Sequence, residues 1–210
     1  MADWDKIYQD FEQGGEAWAT LSEDIDPIFS EFTKKTTFPK KSALDIGCGT
    51  GKYMKFLEMQ GFTVAGIDSS PTAVKMTREL LGKNAKVEVA DMFTYRIPKD
   101  RFDFIFSFAT IHHGTKDKVK KLLEHIYEAL LPGGKIFITV PDLDTALKNW
   151  DTFEGQKEIS PGTYIPLSGP EKDLPHSFYK KDEVKKLFTK YKNFKIVLDD
   201  IGRWMITGTK

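Results

Sequence analysis

The residues best suited to chemistry stand together in one stretch, Asp45-Ile46-Gly47-Cys48-Gly49-Thr50-Gly51. A carboxylate precedes three glycines at alternate positions. Glycines so spaced let backbone approach a ligand with no Cβ between them. The apolar pair Ala43-Leu44 leads in, and Tyr53, Phe56 and Leu57 follow at i, i+3 and i+4 until Gly61. The stretch therefore joins a strand to a helix, whose N-terminus adds free N–H groups and a positive dipole end. A phosphate-binding P-loop is excluded, because Ile46 stands where its first glycine belongs and Tyr53 replaces its Ser or Thr. A dinucleotide fingerprint fails as well: Lys52 takes the place of its third glycine, and Asp45 would set a carboxylate beside the pyrophosphate. A ligand with an ammonium group suits an acid at this turn.

More acids fall at the ends of later strands. Phe62–Ile67 reads as a second strand and ends at Asp68, about 20 residues past the glycines, the distance at which an acid meets ribose hydroxyls. Ser69-Ser70-Pro71 then caps and starts a helix. A third strand runs from Lys86 and closes on Asp91 and Met92. Phe102–Phe108 is apolar almost throughout, as a central parallel strand buried on both faces should be. Ser107 and Phe108 lie at its C-terminal end, the edge where open α/β sheets bind ligands. His112 and His113 follow at once. No Cys, His or acid at ligand spacing accompanies them, so no metal site is expected.

With these residues in place, the sequence resembles the class I S-adenosylmethionine (SAM)-dependent methyltransferases. Their first motif reads as Leu44–Gly51 does here, and the turn Leu131-Pro132-Gly133-Gly134-Lys135 before a hydrophobic strand is another recurring feature. The resemblance covers about residues 40–140 and, more weakly, a C-terminal hairpin. It implies SAM as cofactor and gives a role to each motif. Gly47 and Gly49 would approach the methionyl part, and Asp45 would sense its ammonium. Asp68, with Ser69 beside it, would take the ribose hydroxyls. Asp91 would accept from the adenine amino group, with Met92 packed on the ring and backbone around Phe108 closing the site. A histidine at the place of His112 or His113 commonly holds the loop, which ranks above a role as general base.

The implied fold is a three-layer α/β/α sandwich around a mostly parallel seven-stranded sheet, order 3-2-1-4-5-7-6, with the last strand antiparallel. Five β–α units and a terminal hairpin would build it. The 210 residues are read as one domain. Residues 1–38 form an N-terminal helical cap, with helices over 3–13 (Asp3 as N-cap) and from Asp26-Pro27. The stretch 141–181, punctuated by Pro141, Pro161, Pro166, Pro170 and Pro175, is expected to be an irregular insertion. Both regions are rich in aromatics and are expected to roof the acceptor pocket, 141–181 as a lid. Trp4, Tyr8 and Trp18 are the candidates in the cap, although core packing is the better reading for each singly, as simple core cover is for Trp150 and Phe153.

Lys+Arg and Asp+Glu balance at 31 each, so no basic field points to nucleic acid. No apolar run reaches the roughly 18 residues that span a bilayer. Cys48 is the single cysteine, which fits a cytoplasmic protein. The expected function is methyl transfer to a small-molecule acceptor; the alternatives are a SAM-binding module without transfer activity and a protein methyltransferase. His113, His176 and Tyr179 are the weak candidates for a base, none with a clear lead; as acceptor contacts within 141–181, His176 and Tyr179 are favoured because they directly precede a helix over 182–191. Nothing in the sequence fixes an oligomeric state.

Overall fold

Residues 4–15, 24–82, 85–145 and 155–210 are described by the structure, a computed structural model. Its centre is a seven-stranded sheet of β1 (Ser42–Ile46), β2 (Thr63–Asp68), β3 (Lys86–Val89), β4 (Phe102–Ser107), β5 (Leu130–Pro141), β9 (Lys192–Leu198) and β10 (Arg203–Thr209). The order is β3-β2-β1-β4-β5-β10-β9. The first five strands pair in parallel, whereas β10 is antiparallel to both β5 and β9. This is the order the resemblance implies.

Local chemistry places the helices. The Asp26 side chain accepts from the N–H groups of Ile28 and Phe29, and Pro27 opens α2 (Pro27–Lys35) with no donor to lose. Ser70 caps Ala73 in the same way at the start of α4 (Pro71–Leu81). Between them, α3 (Lys52–Glu58) starts from Gly51 in the left-handed region at φ 82°. Two apolar clusters flank the sheet. One gathers Phe29, Phe38, Met54, Leu57, Phe104 and Phe106. The other gathers Ile105, Leu122, Ile126, Ile138, Phe188 and Trp204, fed by α5 (Lys116–Ala129) and α6 (Lys181–Leu187). The helix α1 (Trp4–Glu12) packs on α4.

Three expectations need correction. The third strand stops at Val89, and Asp91 starts a turn whose carboxylate accepts from Phe93 N–H at 2.8 Å. An Asp two residues before a free N–H favours that turn over further pairing. No helix lies between β3 and β4, so the run of five β–α units is broken there. The 141–181 segment is also less irregular than its prolines suggest. It contains a small antiparallel sheet of β6 (Gln156–Ser160), β7 (Thr163–Pro166) and β8 (His176–Ser177). Strand β6 is almost wholly exposed, so it carries no hydrophobic alternation to read; its ladder and the Pro161-Gly162 turn hold it. Asp3, Trp18, Trp150 and Phe153 lie outside the described residues.

Candidate active site

The Gly-rich turn follows β1 and is pinned from both sides. Gly47 and Cys48 donate to the Ile67 carbonyl of β2 at 2.8 and 3.0 Å. Thr77 Oγ1 in α4 donates to the Gly49 carbonyl at 2.7 Å. Gly47 has φ 77°, and a Cβ there would stand 2.1 Å from Thr110 Cγ2. Both the conformation and the space therefore require glycine. Ser107 Oγ ties β4 to β1 through the Ile46 carbonyl at 2.7 Å.

Two carboxylates sit beneath this cradle. Asp45 is 3% exposed, and burial, then the Asp68 charge, pushes its pKa well up. Asp68 is also buried, and burial raises it too, against backbone donors that pull it down. Its Oδ2 accepts from Gly49 N–H and its Oδ1 from Ser70 N–H, each at 2.9 Å. Those bonds fix the orientation of the carboxylate at the end of β2. Ser69 beside it is exposed. Farther along the edge, Asp91 is exposed and Met92 is half-buried against the second cluster. Phe108 stacks on Tyr53 at 4.6 Å between centroids, with the Arg203 guanidinium 4.7 Å from its ring.

The N-terminal helix covers the turn. Asp5 Oδ1 accepts from Ser70 Oγ at 2.7 Å and from Thr72 N–H at 2.8 Å, which docks α1 on the start of α4. Tyr8 is buried, and burial with the nearby Asp68, Cys48 and Asp45 raises its phenol above the ordinary range. Trp4 lies 4.8 Å from the His113 ring.

The 141–181 segment reaches the same edge from the opposite direction. Ser177 of β8 donates its N–H to His112 O at 2.9 Å and its Oγ to Gly114 O at 2.7 Å. That double attachment brings His176 to the loop after β4, with its ring 4.9 Å from His113 and 5.8 Å from His112. Burial lowers His112 and His113 well below the usual imidazole range, and lowers His176 to about 4. Two of the three base candidates, His113 and His176, are thus neighbours. Tyr179 is not placed with them: it packs in the core cluster with Val184 and Trp204, and Lys116 Nζ lies 5.1 Å from its ring. Sequence reasoning missed Asp5 and Thr110, which meet Ser70, Thr72 and Gly47 from distant parts of the chain, and Glu171, which lies beside the His176 ring five residues on. It also missed the meeting of His176 with His112 and His113.

The strand order defines a class: the fold is that of class I SAM-dependent methyltransferases. Residues 17–198 match the methyltransferase-domain family, and the chain belongs to it. Over 111 residues, 51% of this chain, it is 34% identical to phosphoethanolamine N-methyltransferase of Plasmodium falciparum, of which the match covers 41%. Over 135 residues, 64% of this chain, it is 29% identical to a probable tRNA methyltransferase of Homo sapiens, covering 28% of it. The chain therefore spans less than half the length of either relative. In fold it is similar to 1,6-didemethyltoxoflavin-N1-methyltransferase of Burkholderia thailandensis, solved with bound 1,6-didemethyltoxoflavin and S-adenosylhomocysteine. That similarity has a TM-score of 0.70 at 16% identity and covers 98% of this chain and 85% of the other. Among the described residues no helix is long and apolar enough to cross a membrane.

Proposed function

We propose that this methyltransferase binds SAM at the glycine cradle and passes its methyl to a small molecule held between α1 and the 141–181 segment. The observation that carries the reading is the cradle itself: Gly47 and Gly49 at positive φ over the buried pair Asp45 and Asp68. The geometry fits a cationic ligand. Two buried carboxylates with raised pKa values are costly to ionise alone, and a bound ammonium offsets that cost. Asp68 keeps lone pairs beyond its two backbone bonds for hydroxyls, and Asp91 with Met92 suits the adenine end. When bound, SAM supplies a methyl group already activated by its sulfonium.

The chain's own part is positioning and exclusion of water. With SAM held by Asp45, Gly47, Gly49 and Asp68, an acceptor lone pair would take the methyl while the carbon–sulfur electron pair stayed on sulfur. A base is needed only where the acceptor carries a proton to lose. The balanced charge and the aromatic content of α1 and of 141–181 favour a small acceptor over a nucleic acid. The relatives act on both kinds, by their names, so the acceptor must be tested directly. Labelled SAM should be incubated with the protein and, separately, with a metabolite extract and with total RNA. Label in a low-mass product supports the reading. Label confined to RNA, or to protein, overturns it.

A further inference from the structure

Three histidines from two remote segments meet beside the acceptor side of the sheet edge. His112 and His113 come from the loop after β4, and His176 comes from β8. Each offers a ring nitrogen, and these nitrogens all lie within 4.8 Å of one another. His112 and His113 are 4.0 Å apart between ring centroids. We propose that the three form a site for a divalent cation of zinc type, with Glu171 as its outer carboxylate.

The chemistry of the donor set argues for this ion. Neutral imidazole is a preferred ligand of zinc, at about 2.0–2.1 Å per bond. Tetrahedral geometry at that bond length separates the nitrogens by about 3.3 Å. The trio must therefore tighten by at most about 1.5 Å, a change within reach of ring rotations.

The surroundings are those of a metal-bound histidine. His176 Nε2 lies 3.0 Å from Glu171 Oε2. A histidine that binds metal through one nitrogen commonly gives the other N–H to a carboxylate, which fixes the ring and raises its basicity. Nδ1 would then be the ligand atom of His176. Its backbone is held by the Ser177 bonds to His112 and Gly114, so the third ligand is fixed to the same loop as the first two. Three protein ligands leave a fourth position for water or for an acceptor oxygen or sulfur. The expectation of no metal site counted only residues near His112 and His113 in sequence. The insertion supplies the third ligand.

The test uses the full chain, stripped with chelator, dialysed and titrated with zinc against a chromophoric competitor. Cobalt(II) in place of zinc gives a second signal, because tetrahedral cobalt absorbs far more strongly in the visible than the hydrated ion. The site predicts one equivalent per chain and a tetrahedral cobalt spectrum. His176→Gln should weaken binding at least 100-fold, and Glu171→Gln by about 10–100-fold. No stoichiometric binding by the wild type, or a cobalt spectrum that stays that of the hydrated ion, overturns the proposal even if a variant fails to fold. Unchanged zinc affinity in folded His176→Gln does so too. Because the readout is metal binding, a negative result for SAM would leave it standing.

Discussion

The hydroxyl of Tyr8 stands over Gly49 so closely that a Cβ on the glycine would lie 2.7 Å from it. The N-terminal helix is thus seated on the loop proposed to hold the cofactor. SAM entry would have to go past α1, and the Asp5 bonds to Ser70 and Thr72, with the Glu12–Lys75 ion pair, help to keep that helix down.

Asp5→Ala should therefore loosen the roof and spare the sheet. It removes the acceptor of the Ser70 and Thr72 bonds and of an exposed Gln9 bond, worth about 1 kcal/mol. Amides of residues 4–12 should exchange faster with solvent, while those of β1, β4 and β5 keep their protection. Hydrogen exchange read by mass spectrometry checks this. Unchanged exchange in 4–12 would show that α1 is held by something other than this contact.

Gly47→Ala should be among the most damaging single changes at the site. The left-handed backbone costs a residue with a Cβ about 1–2 kcal/mol. The clash with Thr110 adds about 1–3 kcal/mol on the scale of overpacking. Pairing it with Thr110→Gly should recover the clash but not the backbone cost. Thermal melting of the two variants separates the contributions. A Gly47→Ala protein as stable as wild type would refute the cradle geometry.

Much of this was legible in the sequence because the parallel strands carry their signal locally. Phe102–Ser107 is apolar but for Asp103 and Ser107 since both faces are covered, and Asp26-Pro27 and Ser70-Pro71 announce helix starts by their own side chains. Asp45, Gly47, Gly49 and Asp68 were visible for the same reason: each belongs to a strand end with a fixed spacing. The small sheet in 141–181 was not, because β6 is exposed on nearly every residue and leaves no alternation. Nor was the histidine cluster. His176 meets His112 and His113 only through the bonds of Ser177, and no local pattern encodes a contact between segments so far apart. The turn at Asp91 was misread as strand because Val87 and Val89 gave it a β-like lead.

The buried acids give the ligand-free protein a definite pH response. Asp45 and Asp68 both have folded pKa values raised above their ordinary 3.8. A raised value means stability that is full below 3.8 and falls as pH rises through the folded values. A bound cation favours the ionised carboxylates, so SAM should release protons on binding in that upper range. Asp45→Asn should flatten the fall in melting temperature with pH and reduce the proton release. Melts across pH, and calorimetry in buffers of differing ionisation enthalpy, measure the two effects. An identical pH profile for Asp45→Asn would assign the response elsewhere.

The central claim is that SAM binds through Asp68 at the glycine cradle. Isothermal titration of SAM into wild type and Asp68→Ala tests it most directly, with NAD as the competing ligand and circular dichroism as the folding control. A charge-assisted contact of about 1.5–3 kcal/mol predicts affinity weaker by roughly ten- to a hundred-fold in the variant, and no binding of NAD. Equal SAM affinity in the two folded proteins, or a preference for NAD, would contradict the account.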